Sequence, residues 1–529
     1  MRSVLVRQQA AGPAQRTRRT WLLGAGAAAF VVAVGLYAVY AAIHPYNWTL
    51  DPVDLAVYRS GGLIVRHIRP DYNPHLYDPL YEWGGYGALK LPFTYTPFAA
   101  VVFSVVSFVP WGVLPRLSVG VNILALVAAL WFMFGGLGYR DRPRVRLGAT
   151  LLAAGAVFWT EPIIRTMYLG QVNLVLMALI MWDLCQPDTE KSRWWKGIGT
   201  GVAAGIKLVP LVYIPYLFFA RKYRQAFNTC VGFLLTVLIG FVIQRHDSVK
   251  WWFSGLFFQG GRTGFPGWEG NQSLQGIVVR LVGSVAGAKI DYYIAALLIG
   301  ILGIACAAML DRAGHQVAGL LTAALTGLLL SPISWDHHWV WIAPGVALAG
   351  YYAARSWRTA RARALALWAV AAGILAVYAA WPGSLWGEPT DLGPFSLGVI
   401  WQPPNTDPAT YYAKGDQPWF VEYHWHGIQL ITGNAFILGG LALLAVVAIA
   451  ALRLSVFRAP AAAAATGPDT TASVPAEPAA DPASAAGRDA EAKGQDVDPS
   501  GQGTQPNGSS AASGDRTVTA GGDGRPGPD

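Results

Sequence analysis

Long apolar runs recur along the chain, broken by short polar segments. They fall at roughly 21–43, 93–109, 117–137, 148–164, 168–185, 197–220, 227–243, 290–310, 316–331, 338–354, 364–381 and 429–453. Most match the ~20 residues a helix needs to cross a hydrocarbon core of about 30 Å. None alternates strictly between apolar and polar positions, so the pattern predicts helices rather than strands. In lipid every backbone N–H and C=O must find a partner inside the protein, which helices provide locally. The expected architecture is therefore an all-α polytopic membrane protein with about 12 transmembrane helices and polar loops on its outer face. The predicted division is a basic cytoplasmic tail over 1–20, a transmembrane domain over 21–458 and a cytoplasmic tail over 459–529.

Composition supports this. Hydrophobic residues make up 53% of the chain and charged residues 13%, about half the charged share of a soluble domain. The net charge of +9 does not point to nucleic acid, because most Lys and Arg lie between apolar runs, where they orient helices. The basic clusters 140–146 (RDRPRVR), 191–196 (KSRWWK), 221–224 (RKYR), 355–363 (RSWRTARAR) and 453–458 mark the expected inside. The charge-poor loops 44–92, 244–289 and 382–428 then fall outside. Segment 197–220 has basic clusters at both ends, which a hairpin of two short helices broken near KLVP (207–210) would reconcile. Runs 93–109 and 117–137 cannot both cross fully without placing 140–146 outside. Either one is re-entrant or the charge rule fails there. Arg16, Arg18 and Arg19 precede a first run too long for a signal-peptide core, so it is expected to be a retained helix. Cys185, Cys230 and Cys306 have no metal-site or disulfide spacing and read as small buried apolar side chains. From Ala459 onward the chain holds almost no large apolar residues, and disorder is expected.

Ionisable and amide side chains beside lipid are costly and tend to be functional, which singles out four segments. DPVDLAVYRSGG (51–62) follows the first run and sets Asp51 and Asp54 at the outer surface with Tyr58 downstream. A carboxylate there can act as general base toward a sugar hydroxyl, or simply cap a short helix. LPFTYTPFAA (91–100) suits an interfacial aromatic belt. GQVN (170–173) offers Gln171 and Asn173 to a polar head group, and Lys207 in the broken hairpin needs an anion or must snorkel. SPISWDHHWVW (331–341) gathers Asp336, His337 and His338 between tryptophans. Adjacent histidines make a poor chelate, so a phosphate or sugar hydroxyl suits them better than a metal, and no metal or other cofactor is assigned. The loop 251–280 adds Arg262, Trp268, Glu269 and Arg280 around NQSL (271–274), whose match to a glycosylation tripeptide carries no weight.

Taken in order, DLAVYRSGG, LPFTYTPFAA, GQVN, GIKLVPL followed by RKYR, NQSL followed by Arg280, and SPISWDHHW resemble bacterial glycosyltransferase family 87, within the GT-C superfamily. The resemblance spans roughly 50–345. Thr96 stands where the family usually has proline, and the loop 382–428, with Glu422, His424 and His426, has no mapped counterpart. The resemblance implies a GT-C fold in the bacterial plasma membrane with its active site on the extracytoplasmic face. It implies a polyprenyl-phosphate-mannose donor and a glycolipid acceptor of the phosphatidylinositol mannoside, lipomannan or lipoarabinomannan type. Some relatives use polyprenyl-phosphate-arabinose instead. The family's catalytic aspartate carries over to Asp54 rather than Asp51, and its histidines to His337 and His338. Asp54 would deprotonate an acceptor hydroxyl that displaces the lipid phosphate with inversion, giving an α linkage. Lys207, His337, His338 and Arg262 are the candidates to stabilise the leaving phosphate. A lipid or sugar transporter would share the spans, but only one broken hairpin is legible where paired copies are expected. A scaffold would have no use for the polar set.

Overall fold

The computed structural model describes residues 13–43, 50–67, 75–77, 81–82, 90–380, 398–401 and 421–456. The tail over 459–529 and most of the loop 382–428 lie outside these residues. The helices are α1 Pro13–Ile43, α2 Val53–Val65, α3 Pro97–Val106, α4 Leu114–Phe134, α5 Pro143–Val157, α6 Glu161–Leu169, α7 Asn173–Leu184, α8 Ile198–Ile206 and α9 Tyr213–Phe219. They continue as α10 Tyr223–Ile243, α11 Arg245–Phe253, α12 Leu274–Val282, α13 Lys289–Arg312, α14 Gln316–Leu330, α15 Ile342–Ser356, α16 Arg361–Val377, α17 Ile428–Thr432 and α18 Ala435–Val456. A two-residue antiparallel pair, Tyr81–Glu82 with Lys90–Leu91, is the only sheet among the described residues.

Five helices there are long and apolar enough to cross a membrane: Thr20–Ile43, Leu114–Tyr139, Tyr223–Ile243, Lys289–Arg312 and Ala435–Leu454. A sixth span is made if α6 and α7, bent by 115°, count as one. The chain is an all-α, multi-pass membrane protein. Several apolar runs fold shorter than their sequence suggested. The run 93–109 yields only α3, ten residues and so about 15 Å long. The expected span 148–164 ends at Val157, and Glu161 begins a separate helix.

The segment 197–220 breaks at Lys207, as its sequence indicated. Pro210 has no N–H to give the carbonyl of Ile206, and Lys207 is extended at φ −138°, ψ 125°. Gly197 packs on the Gln225 carbonyl and Gly205 on Thr236, so α8 runs along α10 away from its start. Because α9 then leads back to Tyr223, the first residue of α10, the two short helices form a hairpin with both ends at one level.

Packing relies on small residues, as expected where lipid supplies no hydrophobic force between helices. Gly26 of α1 meets the Gly148 carbonyl of α5, and Gly303 of α13 meets Thr326 of α14. Leu, Val, Ile and Phe side chains on α1, α10 and α13 face outward, among them Val242 at 75% and Ile290 at 71% exposed. In water such faces would be an aggregation surface; in a bilayer they are the solvated surface. The polar residues instead collect inside, where α2, α6, α7 and the α8–α9 break converge.

Candidate active site

Each of these elements delivers its polar side chains through a local break. Helix α2 places Asp54 in its first turn and Tyr58 one turn later, on the same face. Helix α6 ends at Gly170 with φ +68°, where a side chain would also collide with Leu55. The sharp turn there sets Gln171 and Asn173 at the head of α7. The 336–341 segment is a tight 3₁₀ stretch interrupted at Trp339. It is held by the His337 carbonyl, which accepts from Thr166 Oγ1 at 3.1 Å and from Asn173 Nδ2 at 2.9 Å.

The side chains form one connected set. The Gln171 amide hydrogen-bonds the Asp54 carboxylate, while its Oε1 accepts from the Tyr58 hydroxyl at 2.7 Å. Tyr58 and Tyr95 hydroxyls lie 2.8 Å apart. Lys207 Nζ donates to Asn173 Oδ1 at 2.9 Å and stands 2.8 Å from His338 Nε2. His337 and His338 rings are perpendicular, with centroids 4.8 Å apart, so each faces a different partner. His337 Nδ1 lies 3.1 Å from Asp336 Oδ1, and its buried Nε2 has no hydrogen-bond partner among the described residues. Burial pushes the Asp54 carboxyl above the ordinary carboxylate range. Its neighbours His337, Lys207 and Arg165 and the Gln171 hydrogen bond pull it back down. Asp54 is half-buried, and its surroundings make it a stronger proton acceptor than a free carboxylate.

Below Lys207, Asn173 and His338 opens a cavity lined by Leu176, Met177, Ile180, Val209, Val212 and Tyr213. Polar and apolar side chains line it together, so a polar group can lie against Lys207, Asn173 and His338 with apolar surface beside it.

Of the residues selected from sequence, Asp54, Tyr58, Gln171, Asn173, Lys207, His337 and His338 come together. Asp336 lies behind His337, its Oδ2 accepting from Arg165 Nε at 2.9 Å. Arg262 stands one layer away, donating to the Phe93 carbonyl at 3.5 Å and lying over Tyr77. Tyr77 in turn donates to the Tyr95 carbonyl at 2.7 Å. Arg165 and Glu161 belong to none of the sequence motifs. Arg165 pairs with Asp336, and Glu161 accepts a short hydrogen bond from the Trp401 indole. Their charge, inside the apolar run 148–164 for Glu161 and just beyond it for Arg165, was the available signal. The NQSL motif is structural: Gln272 N–H donates to the Ser334 carbonyl at 2.9 Å, Asn271 Oδ1 accepts from Ser334 N–H at 2.9 Å, and Ser273 caps α12. Arg280 is 2% exposed and bonds Asn434 and the backbone of this loop. Thr96 caps α3 through Ala99 N–H at 3.1 Å and donates to the Gly205 carbonyl, a bond proline could not make.

The chain is 34% identical over 336 residues to a Mycobacterium tuberculosis protein described as a polyprenol-phosphate-mannose-dependent alpha-(1-2)-phosphatidylinositol pentamannoside mannosyltransferase. The match covers 63% of this chain and 72% of that protein. A second M. tuberculosis protein, described as the corresponding phosphatidylinositol mannoside mannosyltransferase, is 31% identical, covering 64% of this chain and 79% of its own. A pentamannoside mannosyltransferase of Mycolicibacterium smegmatis is 33% identical, over 55% and 68% of the two chains. No solved structure matches the chain. The glycosyltransferase family 87 pattern matches residues 93–332, a stretch holding GQVN, the Lys207 break and NQSL. On the strength of these matches, the chain belongs to glycosyltransferase family 87.

Proposed function

We propose that this protein transfers mannose from a polyprenyl-phosphate-mannose donor to a phosphatidylinositol mannoside acceptor at the extracytoplasmic face of the bacterial plasma membrane, forming an α linkage. The observation that carries the reading is the Asp54 carboxylate, hydrogen-bonded by Gln171 and close to Lys207, in one polar set with Asn173 and His338, which line a cavity with apolar side chains. The donor's phosphate would lie beside these polar groups, with its isoprenoid chain toward the surrounding lipid. Asp54, oriented by Gln171, takes the proton of an acceptor hydroxyl. The hydroxyl oxygen bonds to the anomeric carbon while the bond from that carbon to the phosphate oxygen breaks. The electron pair leaves with polyprenyl phosphate. A β-linked donor inverted once gives an α product. Lys207 and His338, with the unpaired Nε2 of His337 nearby, stabilise the departing charge. The names of the relatives favour mannose over arabinose, and a consumed donor separates this reading from a transporter.

Membranes carrying the protein are incubated with labelled polyprenyl-phosphate mannose and a phosphatidylinositol mannoside. Label should appear in a larger glycolipid sensitive to α-mannosidase. Donor left intact beside well-expressed protein would overturn the proposal. The face is tested on a cysteine-free background. An impermeant maleimide should label Ser254→Cys in intact cells and Thr359→Cys only after permeabilisation. The reverse pattern would remove the donor from reach.

A further inference from the structure

Away from the catalytic set, two distant chain segments bring His75, His246 and Asp247 together. Their ligating atoms lie within 4.8 Å of one another. The two imidazole rings are 3.8 Å apart between centroids and tilted by 31°. Asp247 Oδ1 is 4.0 Å from His75 Nδ1 and 3.8 Å from His246 Nδ1. We propose that these three residues form a binding site for a divalent transition cation of the zinc class, which fastens the first outer loop to α11.

The chemistry of the donors selects the cation. Two imidazoles and one carboxylate suit zinc and its neighbours rather than magnesium or calcium, which prefer all-oxygen shells. A tetrahedral ion bound at about 2.0–2.1 Å needs donors about 3.3 Å apart. The observed separations close to that value through modest rotation of exposed side chains. Asp247 is the fixed ligand: its side chain is 1% exposed, and Leu76 N–H holds Oδ1 at 3.1 Å. This is the orienting hydrogen bond that metal-binding carboxylates commonly have. The imidazoles are the mobile ligands, 34% exposed at His75 and 61% at His246. An ion can therefore reach the site from water and keep a fourth position for it.

The position gives the site a consequence. Leu76 is fully buried, and Tyr77 stacks on Trp251 of α11 with centroids 5.1 Å apart. Tyr77 then bonds the Tyr95 carbonyl, and Tyr95 touches Gln171 and Tyr58. A bound ion would restrain the loop two residues from this hydrogen-bonded set. The inference does not depend on the sugar transferred.

The test uses full-length protein in detergent, purified without a polyhistidine tag, loaded with zinc and desalted. Elemental analysis should find about one zinc per chain. Cobalt loading should give the visible absorption bands of a four- or five-coordinate ion. His246→Ala, at an exposed position, should lower cobalt affinity at least tenfold, as should His75→Ala. Zinc should raise the unfolding temperature of the native protein and leave that of the His75→Ala/His246→Ala variant unchanged. Each variant is scored only as a monodisperse peak, so loss of fold is not read as loss of metal. Equal zinc retention by native protein and the double variant, or none by either, overturns the proposal.

Discussion

Replacing Asp54 by Asn tests the carboxylate that the proposed chemistry requires. The change keeps side-chain size, and the new amide oxygen still accepts from Gln171, so the Gln171–Tyr58–Tyr95 chain is retained. What disappears is the proton acceptor. A positioned general base contributes 10²–10⁴-fold, about 3–5 kcal/mol of barrier. Burial raises the basicity of Asp54, which places the expected loss toward the upper end of that range. The measurement is the initial rate of mannosyl transfer in membranes at saturating donor, normalised to protein abundance. The donor KM should change less than threefold, because Lys207, Asn173 and His338 are untouched. Asp51→Asn is the control: the Asp51 backbone bonds the Tyr168 carbonyl and its charge faces Tyr168, so the rate should fall less than threefold. If the Asp54 variant keeps more than a tenth of native kcat, Asp54 is not the base. If the Asp51 variant shows the large loss instead, the assignment moves there.

Lys207→Met should cost 10²-fold or more in kcat/KM for the donor, since it removes the amine that would donate to the leaving phosphate as it gathers charge; a loss below fivefold would refute that placement. The rate should fall as pH drops through the Asp54 value, because the base must be unprotonated. This limb should lie above the ordinary carboxylate range, since burial favours the neutral acid. Gln171→Leu should move the limb to still higher pH, because the hydrogen bond it removes favours the charged form; an unmoved limb would show that Gln171 does not act through Asp54. Arg165→Met should destabilise the protein in detergent by about 3 kcal/mol by removing the buried guanidinium partner of Asp336 and leaving it only its contact with His337. Adding Asp336→Asn should recover part of that loss, and strict additivity in thermal unfolding would contradict the pairing.

Much of this protein was legible one residue at a time. Lipid forces each crossing segment to satisfy its own backbone, so apolar runs and their basic flanks declare membrane helices without reference to the rest of the fold. Breakers act locally too. Pro210 foretold the interruption at Lys207, and the charge clusters at both ends of 197–220 foretold a hairpin. The ordered motifs foretold the family. Which polar residues would meet was another matter. Asp54, Gln171, Asn173, Lys207 and His338 sit on four separate stretches of chain, and only packing around the 115° bend and the α8–α9 hairpin joins them. Arg262, equally polar in sequence, ends one layer outside. Arg165 and Glu161 stand out only as lone charges at the end of an apolar run, and nothing in the spacing of His75, His246 and Asp247 announces their contact. Segment type follows from the transfer of each stretch between water and lipid, which is a local property. Site composition follows from which helix faces pack together, which belongs to the whole chain.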